Sequence, residues 1–112
     1  MIRVNVTRAA DGFAESFKIR GHAGFATRGK DIVCSAVTAV AFAAIGYAES
    51  LYNPDGDPSL QCYEEHSGFL VWQCPAVSEA DRQKLIPVMD AMVLGLKQIS
   101  ESAGKQYLLV FD

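Results

Sequence analysis

Apolar and polar residues alternate through Ile2-Arg3-Val4-Asn5-Val6-Thr7, the period-two pattern of a strand buried on one face. Ala10-Asp11-Gly12 supplies turn chemistry. A second strand is expected from about Phe13 to Arg20, with Phe17 and Ile19 inward, so that the two form a hairpin. Gly21 to Lys30 contains Gly21, Gly24 and Gly29 and reads as an irregular loop. The pattern then changes. From Ile32 to Leu51 only Ser35, Thr38, Gly46, Glu49 and Ser50 are not apolar, and Asp31 is a fitting N-cap for a helix that starts at Ile32. A helix apolar on nearly every side must be covered on nearly every side. A sheet covers one face, and a second helix or a second subunit must cover the other.

Asn53-Pro54-Asp55-Gly56-Asp57-Pro58 breaks that helix, because each proline disfavours helix at the residue before it. Leu60 to Glu65 and Phe69 to Gln73 then form a hairpin about His66-Ser67-Gly68, with Trp72 packing a sheet face beside Phe69 and Val71. Ser78-Glu79-Ala80-Asp81 resembles a capping box with Asp in place of Glu. The helix it opens carries an apolar stripe at Leu85, Val88/Met89, Met92, Leu96 and Ile99. Pro87 removes one backbone hydrogen bond from it and should kink it. Gly104 suits a left-handed C-cap, and Tyr107 to Phe111 is a final apolar strand. The order β-β-α-β-β-α-β predicts an α+β (mixed α/β) fold, one sheet packed with two helices. At 112 residues, residues 1–112 are expected to be a single domain, since two cores would leave each half too small to pack.

Charge and cysteine content narrow the function. The formal charge is −3, which argues against a general nucleic-acid binder, and no direct nucleic-acid partner is expected. The charge is uneven: residues 1–30 carry six basic and two acidic side chains, and the remainder carries four and eleven. The longest charge-free apolar run, Ile32 to Ala48, has 17 residues against the roughly 20 of a membrane span. It reads as a buried helix, and no membrane partner is expected. Arg3 and Arg8 interrupt the first ten residues, so no export leader is visible. Three cysteines, Cys34, Cys62 and Cys74, are an odd number without such a leader, which predicts free thiols in the cytoplasm.

Chemistry concentrates in one segment. With Asp31 as N-cap, Cys34 stands at the third helical position, where backbone N–H groups lack helical partners and the helix dipole places partial positive charge beside the sulfur. Both features favour a thiolate, as do Arg28 and Lys30 if they face it, and the same N–H groups could hold a developing oxyanion. His22, at the end of a strand whose loop returns to this helix, is placed to exchange a proton. Asp31 is expected to hold the helix start. The residues alone leave a second reading open, in which Cys34 is an inert small hydrophobe on an apolar helix. Cys62, His66 and Cys74 lack the close cysteine pairing usual in zinc sites, so no metal is expected.

Gly21-His22-Ala23, Gly29-Lys30-Asp31-Ile32-Val33-Cys34 and Ser35-Ala36-Val37-Thr38 together resemble the signature of the ribosomal-processing cysteine protease (Prp) family. That signature is a Gly-His-Ala start, a Gly-rich loop, and Gly-x-Asp-x-Val-Cys followed by Ser-Ala-Val-Thr. The motif covers Gly21 to Thr38, and chain length and element order extend the similarity to the whole chain. The resemblance implies a small homodimeric cysteine protease, acting without a cofactor. It would remove the N-terminal extension of large-subunit ribosomal protein number twenty-seven through a Cys–His dyad. Cys34 is then the nucleophile and His22 the general acid and base. Gly21, Asp31 and Ser35 are expected to support them, and Gly24, Phe25, Arg28 and Lys30 to contact substrate. Ribosomal proteins are basic, so Asp55, Asp57, Glu64 and Glu65 are expected to face the side that receives the substrate's basic body. The competing function is a non-catalytic dimeric binding module on the ribosome, which would need neither residue type at positions 22 and 34.

Overall fold

A computed structural model describes residues 1–27 and 30–112. Along the chain run β1 (Ile2–Arg8), β2 (Ala14–Arg20), α1 (Ile32–Tyr52), β3 (Tyr63–His66), β4 (Phe69–Gln73), α2 (Glu79–Ala103) and β5 (Leu108–Phe111), with a 3-10 turn at Pro58–Leu60. The strands form one five-stranded mixed sheet in the order β3-β4-β2-β1-β5. β1 and β2 are the predicted antiparallel hairpin, with Val4 opposite Ile19 and Val6 opposite Phe17. β4 pairs antiparallel with β2, which sets Trp72 opposite Phe17 and Leu70 opposite Ile19. β5 runs parallel to β1, with Leu108 opposite Ile2. Every one of these apolar residues therefore leaves the sheet on the same side.

Both helices lie on that side. α1 turns Val33, Val37, Ala41, Ala44, Ile45 and Ala48 inward. It is tied to the sheet where Trp72 Nε1 donates to the Tyr52 hydroxyl at 2.9 Å, and Phe42 meets Tyr63 edge-on at 5.5 Å between ring centres. Its length and hydropathy would also suit a membrane span; here it is a core helix. α2 packs alongside, close enough that a Cβ on Gly95 would stand 3.2 Å from Val40. Ser100 Oγ anchors it to β5, donating to the Leu108 carbonyl at 2.6 Å. Trp72, Phe17, Ile45, Leu85, Met89 and Leu96 are the largest fully buried side chains, and they join both helices and the sheet in one core. The opposite face of the sheet stays open, presenting Arg3, Lys18, Arg20, Phe69 and Val71.

The α+β architecture and the element order are those expected. Four local expectations are corrected. The strand expected from Leu60 starts only at Tyr63, because Asp57 caps the turn Pro58–Leu60, its Oδ1 accepting from Ser59 N at 2.9 Å. The last strand starts at Leu108, since Tyr107 N–H donates back to the Gly104 carbonyl. Trp72 does not share a face with Phe69 and Val71: the pleat sends Leu70 and Trp72 to the helices and the other two to the open face. Gly104 caps α2 with φ 119° and ψ 142°, a glycine conformation outside the left-handed helical region. α2 itself runs unbroken through Pro87.

Candidate active site

The site forms where β2 ends, α1 begins and the β3–β4 turn folds over both. Gly21 extends the β2–β4 pairing by one step, its N–H donating to the Gly68 carbonyl at 2.8 Å. Its φ is +96°, and a Cβ there would collide with the Met1 carbonyl, so only glycine lets the chain turn at this point. The turn delivers His22 beside Gly68. A Cβ on Gly68, whose φ is +69°, would stand 2.8 Å from His22 Nε2. The imidazole therefore rests against a surface that only a glycine provides.

Asp31 organises the other half. Its Oδ1 accepts from Val33 N and Cys34 N, both at 3.0 Å, capping α1 as expected. Its Oδ2 accepts from Phe25 N at 3.0 Å and Ala26 N at 3.4 Å. One carboxylate thus joins the loop to the helix start. Burial raises the carboxyl pKa, but the backbone donors, Cys34 N first among them, outweigh it and hold the group below the ordinary carboxylate range. All four partners are backbone N–H groups. Ser35 adds to the cap by donating its hydroxyl to the Asp31 carbonyl at 3.1 Å.

Cys34 sits at the third position of α1, half-buried, and its Sγ accepts a hydrogen bond from Ala23 N at 3.3 Å. This corrects one expectation. The N–H groups of Val33 and Cys34 are occupied by Asp31 and that of Ser35 by the Asp31 carbonyl, so they are not waiting for an oxyanion. The N–H aimed at the sulfur is Ala23's, one residue after His22.

His22 and Cys34 line two adjoining clefts. The larger, about 400 Å³, also takes in Gly24, Ala26, Asp31, Ser35 and Ser67. The smaller, about 120 Å³, has a floor of Ile2, Ile19 and Leu70, with Thr38, Glu65 and His66 on its walls. Among the described residues no hydrogen bond joins His22 to Cys34; the sulfur's partner is Ala23. Phe25 does not line either of these clefts. Its ring is 43% exposed and packs edge-on against Tyr107 at 5.1 Å, beside an apolar groove between α1 and α2. The Lys30 backbone N–H donates to the Thr27 carbonyl. Arg28 and Gly29 lie outside the described residues.

Of the four carboxylates expected near the site, only Glu65 reaches a cleft wall. Asp57 caps its turn, Glu64 points to the open face and accepts His66 Nε2 at 2.7 Å, and Asp55 lines neither cleft. The sequence did not disclose Ala23 N–H, Ser67 or the packing of His22 on Gly68. The one signal was the His66-Ser67-Gly68 turn, whose partner across the sheet no one-dimensional pattern specifies. Cys62 and Cys74 stand elsewhere as free thiols. Burial pushes both above the ordinary thiol value, with the Glu49 carboxylate adding to the effect at Cys62.

A family profile described as Cysteine protease Prp matches residues 1–108. The ribosomal processing cysteine protease Prp of Bacillus subtilis (strain 168) is 33% identical over 100 residues, which are 88% of this chain and 87% of that protein. Among solved structures, an essential ribosomal processing protease Prp from S. aureus, in complex with a covalently linked product peptide, superimposes with a TM-score of 0.74 at 19% identity, over 99% of this chain and 98% of that one. A Streptococcus mutans protein superimposes with a TM-score of 0.73 at 23% identity, over 99% and 92%. These two structures share the fold.

Proposed function

The chain belongs to the cysteine protease Prp family, and from that premise we propose that its nucleophile is Cys34 and its general acid and base is His22. The bond cut lies in the N-terminal extension of large-subunit ribosomal protein number twenty-seven, in the cytoplasm where ribosomes assemble. The observation that supports this reading is that His22 and Cys34 line the same two adjoining clefts, with Cys34 at the capped start of α1.

Each group has a step. His22 takes the Cys34 proton, and the sulfur attacks the scissile carbonyl, forming an S–C bond while the carbonyl π pair moves onto oxygen. Ala23 N–H, directed at the sulfur, is a backbone donor that stabilises the thiolate before attack. Collapse of the tetrahedral centre breaks the C–N bond, and the leaving amine receives its proton from His22. A water then gives a proton to His22 and adds its oxygen to the thioester carbon. Collapse of this second tetrahedral centre breaks the C–S bond, and the departing sulfur takes the proton from His22. The products are a carboxylate and the regenerated Cys34. Gly21 and Gly68 position the imidazole, and Asp31 and Ser35 position the loop and the thiol. Gly24 lies on the larger cleft as a substrate contact, and Phe25, Arg28 and Lys30 are proposed as further contacts. A binding module without catalysis would not require a histidine and a cysteine at one cleft.

The test is incubation with a synthetic peptide that copies the N-terminal segment of that ribosomal protein from the same genome, read by mass spectrometry. Cleavage at a single bond supports the substrate assignment. An intact peptide, beside a control protease that cuts it, overturns that assignment.

A further inference from the structure

Glu65 occupies an unusual place for a carboxylate. The register sets it opposite Leu70, and Tyr63, two residues earlier, opposite Trp72. Both therefore leave β3 on the side of the sheet that faces the helices. Tyr63 uses that direction to pack against Phe42 of α1. Glu65 is exposed and stands instead on the wall of the smaller cleft, over a floor of Ile2, Ile19 and Leu70 and within the same enclosure as His22 and Cys34. Its neighbour Glu64 is engaged by His66 on the open face. Among the described residues no ion pair uses Glu65, and it is the one acidic side chain on that cleft. A floor of aliphatic side chains with a carboxylate at the rim matches a long side chain with an apolar stem and a cationic tip.

We propose that Glu65 is a specificity-determining residue: its carboxylate receives a lysine or arginine side chain of the peptide close to the scissile bond, with the stem of that side chain laid on Ile2, Ile19 and Leu70. The inference rests on the reading of Cys34 and His22 as the site of cleavage, because it places the cation relative to them. It assigns no role to Asp55, Asp57 or Glu64. A long-range attraction to a basic substrate would involve all four carboxylates and would fade with salt, whereas a contact at Glu65 selects one position in the peptide.

The experiment uses the full chain and a set of peptides built on one sequence. Lysine, norleucine or glutamate is placed in turn at each of the three positions on either side of the scissile bond. Affinity is measured by calorimetry on Cys34→Ala, which holds peptides without turnover, so the result does not depend on whether the wild-type chain cuts them. At one position lysine should bind on the order of tenfold more tightly than norleucine, the scale of one charge-assisted hydrogen bond. Adding Glu65→Gln should bring that ratio to about one. Adding Glu65→Lys should reverse the preference toward glutamate, a gain that a misfolded protein would not display. A lysine preference that survives Glu65→Gln, or no position with a lysine preference, overturns the proposal. Failure of the cleavage reading would register separately, as peptide binding with the Glu65 pattern intact but no cutting by the wild-type chain.

Discussion

Asp31 divides its two oxygens between different tasks, Oδ1 to the helix start and Oδ2 to the loop at Phe25 and Ala26. An asparagine keeps one acceptor and turns an NH₂ donor toward donors. Asp31→Asn should therefore retain α1 and lose the loop anchor, lowering kcat by roughly ten- to a hundredfold, the scale of a small misplacement near reacting atoms. Asp31→Ala should lose both and also melt earlier. Steady-state kinetics with a thermal melt separates the two, and full activity in Asp31→Asn would show that the anchor is dispensable. Because the folded carboxyl is held low, its contribution is present above about pH 4 and is lost only as pH falls through the lowered value. Gly68 offers a second probe at this scale. A Cβ there would press on His22 Nε2 at 2.8 Å, so Gly68→Ala should displace the imidazole and cut kcat by about a hundredfold with the fold retained. Unchanged turnover would mean that His22 needs no such seat.

Among the elements, the clearest electrostatic joint is at Asp112. Arg8 of β1 donates to both its oxygens, at 2.6 and 3.0 Å, and Lys97 of α2 to one at 2.9 Å. Arg8 is the main cause, ahead of the opposing effect of burial and the smaller help of Lys97, and together they bring the carboxyl to about 2. The folded pKa is depressed, so the stabilisation is complete above about pH 4 and disappears as pH falls through about 2. Screening limits it to on the order of 1 kcal/mol. Asp112→Asn should flatten the acid limb of the stability curve between pH 4 and 2 by about that much, measured by urea unfolding; an unaltered limb would refute the joint. No sequence pattern disclosed this contact, which joins residues 104 positions apart. The elements themselves were legible, because alternation in β1 and β2 and the uniform apolarity of α1 are local signals that tertiary packing reinforced. The misplaced start of β3 came from Pro58, whose fixed φ suits the first turn of a helix as well as it suits a break. Phe69 and Val71 were grouped with Trp72 because the continuous apolar run hides the pleat, which sends only Leu70 and Trp72 to the core. In the site, Asp31, Cys34 and His22 were legible from spacing and motif. Glu65 was legible only as one of four carboxylates expected to face the substrate, and Gly68 was not legible at all, since β3–β4 reaches the site only through the pairing of β4 with β2.

For the whole molecule, α2 answers only part of the sequence's demand for cover over α1. Ile32 remains 66% exposed and Tyr47 39%, in line with Ala39, Ala43 and Gly46 on the solvent side of α1. A second copy of the chain is the expected partner for this face. Sedimentation equilibrium should return twice the 12.1 kDa chain mass, and a stable monomer at micromolar concentration would contradict it. Peptide cutting as proposed requires that the fold direct attack through one sulfur out of three. The most direct measurement is acid-quenched mass spectrometry of the chain during turnover of its peptide, with digestion to locate any acyl adduct. The account predicts a thioester on Cys34 alone, its formation abolished in Cys34→Ala, slowed at least a hundredfold in His22→Ala, and preserved when Cys62 and Cys74 are both replaced by serine. Peptide cleavage at the wild-type rate by Cys34→Ala, or an adduct on Cys62 or Cys74, would contradict it.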